Sequence, residues 1–129
     1  MNAKEHRESV TVVLTDRALS DIRDIERFSV GRWGRKTADK YLDDIESALD
    51  RLSNDPALLR LEAEISRHVR FYHVRRHILV CDVRTDSIVV LTVIHCEMDI
   101  PSRLAELLPT LASEVGFLHQ RLHGRSKDK

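Results

Sequence analysis

The sequence predicts an α+β fold: a helical hairpin packed on a small antiparallel sheet, in the order β-α-α-β-β-β, with an additional C-terminal helix. Three observations carry this. The stretch 87–99, SIVVLTVIHCEMD, holds a run of β-branched and aliphatic residues from Ile88 to Ile94, too short for a typical helix and suited to a strand. Ala38, Tyr41, Leu42, Ile45, Ala48, Leu49 and Leu52 recur at spacings of three and four, which marks one face of a helix. Between them, the runs 69–74 and 77–83 are parted by Arg75 and Arg76 and read as a strand hairpin.

In chain order, Val10 to Leu14 reads as the first strand. Asp16, after Thr15, can open a helix by accepting backbone N–H bonds of the first turn. Ala18, Leu19, Ile22, Ile25 and Phe28 make that helix's apolar stripe, and Gly34 supplies its left-handed exit. A short turn around residues 31–35 leads to the second helix, which stops at Asn54-Asp55-Pro56 because proline pushes Asp55 out of helical geometry. Neither helix can bury its stripe alone, so both should lie on the sheet. Residues 57–66 read as a loop with one helical turn. The run from Ile88 presents Ile88, Val90, Thr92 and Ile94 on one face and Val89, Leu91 and Val93 on the other. Both faces are apolar, so this strand should be central and covered on each side. Beyond Asp99, Leu104, Leu107, Leu108, Leu111, Val115, Leu118 and Leu122 again repeat at three and four, with Pro109 breaking or kinking the run. This last helix either covers the second sheet face or offers its stripe to another protein.

A chain of 129 residues suits a single domain, with a core over 10–104, a helical extension over 105–123 and a disordered tail over 124–129. Its 21 basic and 21 acidic side chains cancel, which argues against a global nucleic-acid-binding field. No run reaches membrane-spanning length and the start, MNAKEHRESV, has no secretory apolar region, so a cytoplasmic protein is expected. Cys81 and Cys96 fit no paired-cysteine motif and read as reduced packing residues. His73 and His77 flank a turn, and His119 and His123 can share a helix face, but no third ligand stands beside either pair. Neither a metal nor a cofactor is expected.

These residues resemble the RelE/ParE superfamily of toxins from type II toxin–antitoxin modules, and in detail its ParE branch. RALSDIRDIERFSVGRWG with its Arg32-Trp33-Gly34 exit is similar to that branch's first helix. TADKYLDDIESALDRLSNDP resembles its Ala-x-x-Tyr helix and Asx-Pro stop, VRFYHVRRHILVCDV its arginine-bearing hairpin, and IHCEMDIPSRL its last-strand exit. The resemblance covers roughly residues 10–104 and leaves the rest of the chain unexplained. It implies a plasmid-stabilising type of toxin that inhibits DNA gyrase and is neutralised by a cognate ParD-like antitoxin. No sequence-specific DNA binding by the toxin alone is implied, and self-association stays open. RelE-like cousins of the same fold cut mRNA on the ribosome, and an inactive scaffold kept as a binding partner is the third reading.

Cutting RNA needs a base, an acid and a cation. Arg70 can be the cation, His95 the acid, and Glu62 or Glu64 the base. Against this, Glu97 and Asp99 beside His95 would repel an RNA backbone. For a protein that acts by binding, the contact candidates are Arg70, Arg75, Arg76, His95, Asp99 and Trp33. Arg67, Arg70, Arg75, Arg76 and Arg84 form a local basic patch, read either as a docking surface for an acidic partner or as a solvated hairpin. Asp99 is most simply the N-cap of the final helix, His95 a hydrogen-bonded strand end, and Trp33 a packing anchor closing the helical hairpin.

Overall fold

The computed structural model describes residues 9–63 and 65–106. Its elements are β1 (Thr11–Leu14), α1 (Asp16–Trp33), α2 (Arg35–Asn54), β2 (Arg60–Leu61), β3 (Arg70–Val74), β4 (His77–Val83) and β5 (Ser87–His95). Residues 100–106 are also helical and are labelled α3. The expected loop after α2 holds a 3-10 turn at Pro56–Leu58 and the short strand β2, which pairs with β3. The expectations for Glu64, for residues 1–8 and for everything after Glu106, including Pro109 and His119/His123, fall outside the described residues.

The strands lie in the order β1-β5-β4-β3-β2. β3, β4 and β5 form the expected antiparallel meander. The sheet as a whole is mixed rather than antiparallel, because β1 runs parallel to β5 from Thr11↔Ser87 to Leu14↔Val90. A parallel pair needs a long crossover, and the helices and meander between β1 and β5 supply one. β5 is therefore central, and eight of its nine residues are buried.

The two faces of β5 differ from strict alternation. Cys81 pairs with Val90 but Val80 pairs with Thr92, which leaves Leu91 as an extra residue, a β-bulge. Beyond it the faces exchange: Val93 joins Ile88 and Val90 under the helices, while Ile94 joins Val89 and Leu91 on the far side. The bulge turns main-chain groups toward α1, which satisfies them. The Thr15 hydroxyl donates to the Leu91 carbonyl at 2.7 Å. The Asp21 carboxylate accepts the Val93 N–H at 3.0 Å and also takes the Thr92 hydroxyl. Thr15 accepts the Ala18 N–H at 3.0 Å as well, so Thr15 and not Asp16 is the N-cap of α1; Asp16 sits in the first turn, where its charge suits the helix dipole.

The inward stripe of α1 is Ala18, Ile22, Ile25 and Ser29. Leu19 and Phe28, expected in it, face outward at 37% and 62% exposure. The stripe of α2 holds as expected: Ala38, Ile45, Ala48 and Leu52 are buried, and Tyr41, Leu42 and Leu49 flank them. They meet Leu79, Cys81, Ile88 and Val90, and each large apolar side chain so buried contributes about 1.5–3 kcal/mol. Gly34 alone joins the helices; its φ of 93° is open to glycine and costly for any residue with a Cβ.

Candidate functional site

The tip of the helical hairpin overhangs the end of the sheet where β4 begins and β5 ends. There the surface opens into a cleft of about 450 Å³. Ile25, Phe28, Ser29, Arg32 and Trp33 of α1 and Tyr41 of α2 form one wall; Arg76, His77, His95 and Glu97 form the other, with Asp24 at the rim. His77 and His95 meet because they are cross-strand partners at this end of the sheet. The Cys96 N–H donates to the Arg76 carbonyl at 2.8 Å and ties the exit of β5 to the β3–β4 turn.

The base of the cleft is a hydrogen-bonded aromatic cluster. The Tyr41 hydroxyl lies 2.5 Å from Nδ1 of His77 and accepts the Arg76 main-chain N–H at 3.3 Å. With that acceptance made, the hydroxyl proton is free to point at His77, whose Nδ1 then accepts and whose Nε2 carries the hydrogen. The His77 ring meets Tyr41 edge-on at 5.5 Å between centroids and His95 at 5.1 Å. Burial, and secondly the neighbouring His95, hold His77 down at about 4, so the ring is neutral near pH 7. Burial pushes the Tyr41 hydroxyl above its usual value. His95 turns its Nδ1 toward the Glu97 N–H, at 3.1 Å.

The neutral ring has a consequence for stability. The folded His77 value of about 4 lies below its ordinary 6.5, so between these pH values the unfolded chain binds the proton more readily. The stabilisation is complete above about pH 6.5 and is lost as pH falls toward 4. After discounting for a partly solvated ring it amounts to about 1–2 kcal/mol. Thermal melts at pH 7.5 and 4.5 should show this loss, and His77→Gln should flatten the difference; an unchanged slope in the variant would assign the pH dependence elsewhere.

The lip of the cleft is aromatic and exposed. Phe28 and Trp33 pack edge-on, 5.8 Å between centroids, and the Arg32 guanidinium lies 5.8 Å from the Trp33 ring. Trp33 is 50% exposed, so it does not close the hairpin as an internal anchor. Arg35 at the start of α2 reaches Glu26 of α1 at 2.8 Å and Asp39 at 3.2 Å, which braces the hairpin's tip.

The structure gathers Trp33, Arg76 and His95 at this cleft and places the other sequence candidates elsewhere. Arg75 lies in the β3–β4 turn with a left-handed φ of 53°; its guanidinium pairs with Asp44 and sits 5.5 Å from the Tyr41 ring centroid. Asp99 caps α3, accepting from the Ser102 hydroxyl at 2.8 Å and the Ser102 N–H at 3.4 Å. Arg70 is exposed at the other end of the meander: it pairs with Cys81, which pairs with Val90, five residues before His95 on β5. That offset alone is about 15 Å along the strand. Arg70 and His95 therefore do not share a site, and Glu62 is exposed just beyond β2 at the far edge of the sheet. Arg84 of the basic patch is paired with Asp82 at 2.8 Å. Cys81 is buried with its thiol pushed up to about 12 by burial, whereas Cys96 is exposed, and both are free. Among the described residues, no group of three or more His, Cys, Asp or Glu is placed to hold a metal ion.

Tyr41, His77 and Phe28 are among the cleft residues that sequence reasoning did not name as site candidates. Phe28 was detectable from its phase. Ala18, Ile22, Ile25 and Ser29 step by four, three and four, and Phe28 falls off that line. His77 carried no local signal, since its partners come from α2 and β5.

An open mixed sheet, a helical hairpin laid over one face and a cleft under the hairpin's tip define an α+β module of RelE/ParE type. The chain belongs to the family described as the ParE toxin of type II toxin–antitoxin systems, parDE, whose profile matches residues 12–100. It is 27% identical over 97 residues to Toxin ParE of Escherichia coli, an alignment covering 74% of this chain and 94% of that protein. Its fold is similar to a solved structure of the chromosomal ParDE TA system from P. aeruginosa, with a TM-score of 0.61 and 19% identity over 69% of this chain and 98% of that one. Among the described residues, no helix is long and apolar enough to cross a membrane.

Proposed function

We propose that this ParE-family toxin acts in the cytoplasm by binding: it inhibits DNA gyrase and is neutralised by a cognate ParD-like antitoxin. The observation that carries the binding mode is the cleft at the hairpin's tip, whose lip exposes Phe28 and Trp33 beside Arg32. Exposed aromatics next to a guanidinium, rimming a concavity, are what a docking surface requires, because they remove much apolar area from water when a partner arrives. The family match supports an antitoxin partner, and gyrase as the target is what the resemblance to ParE toxins implies. Arg70 and His95 stand far apart, which weighs against the ribonuclease reading, since general acid and charge stabilisation must reach one phosphate.

The test is a supercoiling assay with purified protein, gyrase, ATP and relaxed plasmid. Loss of supercoiling or accumulation of cleaved DNA, both relieved by the antitoxin, is the expected result. In parallel the protein is added to translating ribosomes. Codon-positioned mRNA cuts that vanish with Arg70→Ala, with gyrase unaffected, would overturn the reading.

A further inference from the structure

Four side chains meet in the cleft as hydrogen-bond donors without acceptors of their own. The guanidiniums of Arg32 and Arg76 line it from opposite walls, and among the described residues neither has an ion-pair or hydrogen-bond partner. The floor adds two imidazoles. Nδ1 of His77 takes the Tyr41 hydroxyl and Nδ1 of His95 takes the Glu97 N–H, so in each neutral ring the hydrogen sits on Nε2. Neither Nε2 has an acceptor among the described residues. The two carboxylates that line the cleft do not supply one. Asp24 is held by Arg27 at 2.8 Å, and Glu97 stands at the rim with 78% of its side chain exposed.

A cleft richer in donors than in acceptors is completed by an anion with several acceptor oxygens. Guanidiniums on facing walls favour a phosphate, whose oxygens spread in three dimensions, over a carboxylate, whose two lie in one plane. The apolar lining is Ile25 with the rings of Phe28 and Trp33, and both rings are at least half exposed. Flat exposed rings suit a flat ring system, which gains stacking as well as burial. The volume of about 450 Å³ is that of a small-ligand site. Asp24 and Glu97 limit the charge that fits. They would repel the successive phosphates of a nucleic-acid strand, yet they can accept from the amine or the ribose hydroxyls of a single nucleotide.

We propose that the cleft binds a nucleoside monophosphate, its phosphate between Arg32 and Arg76 above the two imidazoles and its base against Phe28 and Trp33. Bound there, the nucleotide occupies the surface assigned above to a protein partner and competes with it. Only this competition rests on the docking reading; the site itself does not.

Trp33 is the only tryptophan in the sequence, so its fluorescence reports on the cleft. AMP and UMP, one with a large base and one with a small, are titrated into the full chain, and saturable quenching by at least one is expected. The matching nucleoside, which lacks the phosphate, should bind about ten-fold more weakly or worse. The nucleotide should lose about as much on Arg76→Gln or Arg32→Gln, since each removes charge-assisted hydrogen bonds. Both arginines are exposed, so the variants should fold, and circular dichroism checks that they do. Absence of saturable quenching by either nucleotide, equal binding of nucleoside and nucleotide, or an affinity unmoved by both variants overturns the proposal. So does a peptide bearing phenylalanine and glutamate that saturates the quenching while neither nucleotide changes it, because the occupant is then a peptide carboxylate. Antitoxin affinity, measured with and without saturating nucleotide, separates the two readings. A fall of about ten-fold or more upholds both site and competition. Nucleotide binding with unchanged antitoxin affinity upholds the site and moves the docking surface elsewhere.

Discussion

Replacing Phe28 and Trp33 together by alanine is expected to weaken antitoxin binding about 100-fold while moving the melting temperature by no more than about 2 °C. The two halves of this result have different causes. In the free protein both side chains are at least half exposed and pack edge-on against each other, so their removal takes little buried apolar area from the fold. In a complex the same rings would be desolvated at the mouth of a cleft. There a truncated aromatic hot spot costs about 2–4 kcal/mol, and 100-fold corresponds to about 2.7 kcal/mol. Titration calorimetry with purified antitoxin measures the first half and a thermal melt the second. Unchanged affinity would place the docking surface elsewhere. A drop in melting temperature of more than about 5 °C would mean that the pair braces the hairpin instead.

Asp21→Ala should cost about 3 kcal/mol of folding stability, although Asp21 looks in the sequence like one more charge on a solvated helix face. The carboxylate accepts the Val93 N–H and the Thr92 hydroxyl, two donors just past the bulge at Leu91. Hydrogen bonds to a charged acceptor are worth about 1.5–3 kcal/mol, and truncation also leaves donors next to the core without their partner. Asp21→Asn keeps an acceptor of the same shape and should cost only about 1 kcal/mol. Chemical denaturation of the two variants separates these outcomes. Equal losses would show that the charge matters more than the acceptor; no loss in either would show that water replaces the carboxylate freely.

Both predictions turn on features that sequence reading met unevenly. The helical hairpin was legible because the spacing from Ala38 to Leu52 is a local periodicity, and burial of that stripe follows it closely. β4 was legible over His77–Val83 because charged turns bound it on both sides. The bulge was not. A strand apolar on both faces carries no mark of a one-residue slip, so an alternating reading put Val93 and Ile94 on the wrong faces. Of the cleft, Trp33, Arg76 and His95 were among the candidates. The Tyr41–His77 bond that organises its base joins residues 36 apart in the chain, and nothing near either one announces it. Arg70 and His95 seemed able to cooperate only while the sheet's register was unknown.

Sequence alone therefore determined the two long helices, the strands other than β2, their order, and the two-sided apolar character of β5, since each of these is written in spacings of two, three or four residues. The tertiary structure alone decided the parallel pairing of β1 with β5, the exchange of faces after Leu91, the outward turn of Phe28 and Trp33, and the meeting of Tyr41, His77 and His95. Those depend on register and on contacts between distant segments, and short-range periodicity holds no information about either.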